Sequence, residues 1–167
     1  MPTYATMPYH LETERLILRP WAESDAPAFS ELLSERGERT YTADRARQAI
    51  GGLLAGTRYS GIALLPIQRR DDGDFIGYCG LTTGRSTLEE PEIAYELCRR
   101  AHNRGYATEA ARAVLGAAAA TGRRRLWSTV APWNAPSLRV LAKLEFVRDH
   151  LSMEDNGEVV WLTRELP

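Results

Sequence analysis

An excess of charge of either sign is the first thing this sequence lacks: 21 Lys and Arg stand against 22 Asp and Glu, for a formal net charge of −1. A balanced chain carries no field of one sign, which argues against strong sequence-independent binding to nucleic acid. Cysteine is scarce as well. Cys79 and Cys98 are the only two; both lie in apolar stretches, and neither CxxC nor Cys/His ligand spacing accompanies them. That argues against a bound metal and a disulfide framework and leaves two reduced, buried thiols. No apolar run approaches the ~20 residues of a membrane span, so no membrane partner is expected. Residues 1–9 lack the basic and then apolar pattern of a secretory signal, so the cytoplasm is the expected location. Internal repeats and Pro-, Gly- or Ser-rich linkers are missing too. With 44% apolar and 26% charged residues over 167 positions, the composition is that of one globular domain, expected over 1–167 with its core from about 10 to 165.

What is present is an alternation of strand and helix signals. Leu16 to Leu18 form a β-prone run that stops at Pro20, which cannot continue a ladder. Ser24 and Asp25 can cap a helix over 24–35, with Pro27 tolerated in its first turn and Phe29, Leu32 and Leu33 on one face. Residues 36–41 read as a loop. A second helix is expected over 42–55, where Ala46, Ala49, Ile50, Leu53 and Leu54 keep helical spacing and Gly56 stands at the C-cap. Two apolar runs, 59–67 and 74–82, flank Asp72-Gly73 and predict a hairpin. A strand over 92–98 follows, then a helix in which Ala107, Ala110, Ala111, Val114, Leu115 and Ala118 share a face before Gly122. A strand over 126–130, a helix capped by Asn134, and strands over 146–150 and 158–163 complete the order βααβββαβαββ. Interleaved in this way, the elements predict an α/β fold of the α+β type, with about seven strands in one mixed sheet flanked by helices.

The passage from strand to helix between Cys98 and Thr108 carries the strongest chemical signal. A strand that turns through glycine into a helix offers unpaired backbone N–H groups and the positive end of the helix dipole at one point, which is an anion site. Gly105 lets the backbone approach a phosphate, Ala107 keeps the next position small, and Arg99, Arg100 and Arg104 add positive charge. The alternative is a plain turn with a solvated arginine face. Neither GxxxxGK[ST] nor a GxGxxG before a helix occurs, so the known nucleotide loops do not account for it.

The segment ELCRRAHNRGYATEA resembles the acyl-coenzyme A motif of the GNAT (general N-acetyltransferase) superfamily, with His102-x-x-Gly105-x-Ala107 where the family has Arg or Gln, two residues, Gly, one residue, then Gly or Ala. WNAPSLRVLAKLEF is similar to a second signature, found in the branch that acetylates ribosomal-protein N-termini: Asn-x-x-Ser before a helix ending in Lys-Leu-Gly-Phe. It is matched by Asn134, Ser137, Lys143, Leu144 and Phe146, with Glu145 in place of the glycine. LETERLILRPW and DFIGYCGL also resemble this branch. The resemblance implies a single GNAT-like domain with a twisted sheet, in which the strands over 92–98 and 126–130 splay apart to admit the pantetheine arm. It implies an acetyl-CoA-dependent N-acetyltransferase, with coenzyme contacts from Leu97, Cys98 and Arg99, from Asn103, Arg104, Gly105, Tyr106, Ala107 and Thr108, and from Asn134, Ser137 and Lys143.

Acetyl transfer to an amine requires a polarised thioester carbonyl, a proton for the departing thiolate and a neutral amine. The resemblance gives the first role to a backbone N–H near Leu97. It usually gives the second to a tyrosine one turn beyond Ser137, but that position is Leu141, so Ser137 becomes the candidate acid, with Asn134 on nearly the same helix face to hold the pantetheine. For the amine, Glu92 and Glu96 lie at strand period two and point to one face. Glu92 resembles the acidic residue that opens this strand in the family, and is the preferred catalytic residue; a salt bridge or solvent exposure is the alternative for each. Glu109 could pair with Arg112 on its own helix. The expected acceptor is a primary amine, either a protein N-terminus or a small molecule. A non-catalytic acyl-CoA sensor is the main alternative, and nucleic acid binding through Arg99, Arg100, Arg104 and Arg123 to Arg125 is disfavoured for lack of interleaved aromatics. A homodimer is left open.

Overall fold

Alternation and turn chemistry build the sheet much as the sequence predicts. The computed structural model describes residues 3–37 and 40–167; the loop expected over 36–41 falls in part on 38–39, and the leading segment in part on 1–2, outside the described residues. The elements are β1 (Leu11–Glu12), β2 (Leu16–Leu18), α1 (Ala26–Ser34), α2 (Ala43–Ser60), β3 (Leu64–Arg69), β4 (Phe75–Thr82), β5 (Glu92–Leu97), α3 (Tyr106–Ala120), β6 (Arg125–Val130), α4 (Ala135–Lys143), β7 (Val147–Glu154) and β8 (Gly157–Glu165). They form one sheet of eight strands in the order β1-β2-β3-β4-β5-β6-β8-β7. The strand beyond the seven expected is β1, whose two residues are too short to register as a period.

Every neighbouring pair is antiparallel except β5 and β6. The β3–β4 hairpin closes over Asp72-Gly73, with the Gly73 N–H donating to the Arg69 carbonyl at 2.9 Å. Helices cover both sides. Ala110, Ala111, Val114 and Ala118 of α3 and Leu141 of α4 pack with Leu16, Leu18, Ile76, Cys79 and Leu126 in the larger core. Phe29, Leu32 and Leu33 of α1 and Ala46 and Ile50 of α2 meet Trp21, Phe75 and Cys98 in the smaller one. The alanines of α3 let its backbone lie close to the sheet while their methyl groups fill the gap at native density. Both cysteines are free and buried.

Two expectations are corrected. The second helix does not stop at Gly56: it continues to Ser60, and the left-handed cap is Gly61, with φ 73° and its N–H on the Thr57 carbonyl at 3.0 Å. A glycine inside a helix costs only about 1 kcal/mol relative to alanine, whereas the positive φ at the true end favours glycine strongly. The following strand accordingly begins at Leu64 rather than at Tyr59. At the end of α4, Glu145 takes the left-handed conformation (φ 66°) with the Phe146 N–H on the Leu141 carbonyl at 3.0 Å, so the helix exit keeps its turn without glycine. No described helix is long and apolar enough to cross a membrane.

Candidate active site

The one parallel contact among the described strands is also where the sheet opens. Strands β5 and β6 share one register pair, Glu92 with Trp127, next to a bond from the Trp127 N–H to the Pro91 carbonyl at 3.0 Å. The Ser128 hydroxyl reaches the Ile93 carbonyl at 3.3 Å, and beyond that the two strands part. On its other side β5 stays paired with β4 throughout, from Thr82 opposite Glu92 to Gly77 opposite Leu97. The bond from the Cys98 N–H to the Ile76 carbonyl, 2.8 Å, fixes which residues of β5 face which neighbour. Alternation then turns the N–H and C=O groups of Tyr95 and Leu97 away from β4 and into the gap that β6 has left. The expected splay is therefore present, and its edge carries main-chain donors at Tyr95 and Leu97 that no neighbouring strand takes up.

The gap continues into a cleft of about 640 Å³ bounded by the end of β5, the start of α3, the cleft face of α4 and the segment after α1. Of the residues singled out in the sequence, Leu97, Arg99, Asn103, Gly105, Tyr106, Ala107, Thr108, Asn134, Ser137 and Lys143 line it. Asn103 (φ 61°) and Gly105 (φ 80°) both take left-handed turns and bring the chain round into α3. The Glu109 N–H donates to the Gly105 carbonyl at 3.1 Å, so the N–H groups of Tyr106, Ala107 and Thr108 precede the first intrahelical partner and point out of the helix end. His102 folds back with Nε2 donating to the Leu97 carbonyl at 2.8 Å. It thus ties the loop to the strand end while lining the cleft.

The cations are distributed differently from the expectation. Arg100 bonds to the Asp74 carboxylate and the Phe75 carbonyl, on the β4 side. Arg104 offers its carbonyl to Arg15 Nη1 at 3.0 Å, and neither it nor Arg100 is among the residues lining the cleft. Cys98 is buried, 5% exposed, in the smaller core, and burial pushes its thiol pKa up. The cations that do line the cleft are Arg36, Arg99, Arg139 and Lys143. Glu109 pairs with Arg15 Nε at 2.7 Å and with the Thr13 hydroxyl at 2.5 Å rather than with Arg112. Burial alone would raise its pKa, but these bonds and the Arg15 N–H outweigh that and hold the carboxyl below its usual range.

The two strand carboxylates point to one face, as their spacing requires, and have different surroundings. Glu92 is 5% exposed, accepts from the Thr129 hydroxyl and the Arg85 N–H, and lies outside the cleft lining. Glu96 lines the cleft, where Arg36 grips it with Nε at 3.0 Å and Nη2 at 2.6 Å and the Tyr78 hydroxyl donates at 3.1 Å. Burial raises the Tyr78 pKa, and the bond to Glu96 raises that of Arg36. On α4, Asn134 caps the helix by accepting from the Ser137 N–H at 3.3 Å. The Tyr95 hydroxyl donates to the Ser137 carbonyl at 3.3 Å across the gap. Leu141 is fully buried in the core. Among the described residues no group of three or more His, Cys, Asp and Glu is placed to hold a metal ion.

Sequence reasoning missed Arg36, Tyr95 and Arg139. Arg139 lies one turn before Lys143 on the helix that Asn134 starts, so the spacing alone could have paired them. Tyr95 follows from strand parity once the gap is located. Arg36 gives no local signal, because its partner is 60 positions away.

The family model for the acetyltransferase (GNAT) domain matches residues 15–147, well over half of the chain. No curated protein matches it in sequence. An acetyltransferase from Agrobacterium tumefaciens is 29% identical with a TM-score of 0.79, covering 98% of each chain. The ribosomal L7/L12 alpha-N-protein acetyltransferase RimL, solved with coenzyme A, superposes at a TM-score of 0.82 and 16% identity over 94% of this chain and 98% of its own. A Salmonella typhimurium protein, yncA, solved with its cofactor acetyl-CoA, gives 0.74 and 16% over 91% and 94%. The likenesses at 16% speak for the fold. The match from β2 to the start of β7, together with a sheet that parts where the motif begins, means that the chain belongs to the GNAT family of acetyltransferases.

Proposed function

We propose that this acetyltransferase takes its acetyl group from acetyl-coenzyme A and passes it to a primary amine, a protein N-terminal α-amine or the amine of a small molecule. The observation that carries the reading is the open edge of β5, whose free main-chain donors lead directly to the bare N–H groups at the start of α3. A pantetheine arm is a chain of amides and can pair with such an edge as a strand would, while the pyrophosphate rests on the helix end. Arg99, Arg139 and Lys143 supply countercharge for the phosphates, and the Asn134 amide holds the arm from α4.

With the coenzyme so placed, the thioester carbonyl lies near the Leu97 N–H, a preorganised donor for the developing oxyanion. The Ser137 hydroxyl is the donor for the departing thiolate. Glu96, rather than the enclosed Glu92, receives the amine proton, directly or through water. An α-amino group of pKa about 7.7–8.0 is roughly a tenth neutral at pH 7, against well under a hundredth for lysine, so a weakly basic carboxylate serves an N-terminal amine best. The test is an acetyl-CoA-dependent screen of peptides with different N-terminal residues alongside polyamines and aminoglycosides. Transfer to at least one amine above the rate of thioester hydrolysis is expected. Tight acetyl-CoA binding with no transfer would replace this reading with that of a coenzyme sensor.

A further inference from the structure

Resting on that reading of the cleft, we propose that the acceptor carries a carboxylate close to the amine that is acetylated, and that Arg36 and Glu96 recognise the two groups together. The carboxylate of Glu96, next to Leu97, is already engaged by the protein's own side chains. Arg36 approaches it with two parallel N–H donors, Nε at 3.0 Å and Nη2 at 2.6 Å, and Tyr78 adds a third contact at 3.1 Å. The planar fork matches a carboxylate in a way that a lysine ammonium does not. Arg36 is held in place by its neighbour, because the Glu35 carboxylate accepts from the Arg99 N–H at 3.1 Å and the Glu35 carbonyl accepts from the Arg99 guanidinium. Both members of the pair line the cleft and remain partly open to solvent, at 47% and 25% side-chain exposure.

An amine bound for acetylation must reach Glu96, and a bare cation that takes the place of the guanidinium there leaves Arg36 without a partner. A neutral amine offers no charge in exchange. A molecule bearing an ammonium and a carboxylate side by side replaces both halves at once: its ammonium takes Glu96 and its carboxylate takes the fork of Arg36. The number of ion pairs in the cleft is then conserved, and neither charge is left unpaired. Since the guanidinium and carboxylate of the protein are within 3.0 Å of each other, the two charges of the acceptor must be separated by only a few bonds. A free α-amino acid and a chain beginning with Asp or Glu share that chemistry. Polyamines and aminoglycosides do not.

The measurement is kcat/KM for matched acceptors that differ only in this carboxylate, at saturating acetyl-CoA. One arm uses C-terminally amidated peptides beginning with Asp or Glu against Asn or Gln; the other uses free amino acids against their amides. A preference of about tenfold or more for the acidic member of one arm is expected, and the arm that shows it identifies the source. Arg36→Gln should reduce that ratio to within about threefold, and Arg36→Lys, which keeps the charge but not the fork, should restore part of it. A thermal melt checks that each variant is folded. A ratio near one in the wild type in both arms, or a preference that Arg36→Gln leaves intact, overturns the proposal while transfer to other amines stands. Absence of transfer to every amine removes the acetyltransfer reading together with it.

Discussion

Gly105→Val tests the coenzyme site most directly, because the structure separates its two ways of failing. A Cβ at position 105 would meet only Arg15 Nη2, at 3.4 Å, so added bulk has room and the damage is conformational. The residue sits at φ 80°, where a side chain costs about 1–2 kcal/mol, and more for one branched at Cβ. The cheapest relief is for the turn to relax to negative φ, which swings the Tyr106 and Ala107 N–H groups away from the position proposed for the pyrophosphate. A hydrogen bond to a charged group contributes about 1.5–3 kcal/mol, so losing one weakens binding about 10- to 150-fold. The dissociation constant for acetyl-CoA, measured by calorimetry, should therefore rise about 100-fold while the thermal melt falls by no more than the local strain. Asn tolerates left-handed backbone, and Gly105→Asn should keep the constant within about tenfold of wild type. Affinity within threefold of wild type in a folded Val variant would refute the assignment of the pyrophosphate to this turn.

Three further outcomes follow from the same geometry. Ser137→Ala leaves the Asn134 cap intact, since the cap uses the Ser137 main-chain N–H; stability should stay constant while kcat falls about 10²–10⁴-fold, and a kcat within threefold of wild type would return the thiolate proton to water. Glu92→Gln should lower stability in urea by about 1–3 kcal/mol, because one of two enclosed donors loses its acceptor, with the pH profile of kcat/KM kept; a displaced profile at unchanged stability would restore Glu92 as the proton acceptor. Glu109 has a folded-state pKa below its unfolded value, so its contribution is present at neutral pH and is lost as pH falls through the folded-state pKa. Glu109→Gln should be destabilised by about 1–2 kcal/mol at pH 7 and converge with wild type in acid, where denaturation curves that stay parallel down to pH 3 would contradict the Arg15 pairing.

The features that were legible in the sequence are those whose causes lie within a few residues. Asn134 accepts from an N–H three positions away, Gly105 turns between a strand and the helix it starts, and the alanines of α3 recur at helical spacing. The misreading of Gly56 is instructive, because that glycine is locally indistinguishable from Gly61. What decides between them is the demand for a sharp turn where the chain leaves α2 for β3. The pairing of Glu109 with Arg15, 94 positions away, and of Arg36 with Glu96 belongs to the fold and leaves no trace in either segment.

Glu92 and Glu96 show why parity alone could not choose between two candidate carboxylates. Period two correctly sends both to the same face of β5, but it is silent on what lies beside each. At Glu92 strand β6 is still in register, and Thr129 together with the Arg85 N–H closes over the carboxylate. Four residues later β6 has left, the neighbouring main chain is free, and the carboxylate is reached from the cleft by Arg36, a side chain long enough to be displaced. The point at which the sheet divides therefore separates the two acids, one enclosed between β5 and its neighbours and one facing the cleft. A change that carried the β5–β6 pairing four residues further, to Glu96, would enclose that carboxylate as Glu92 is enclosed and would close the gap with it.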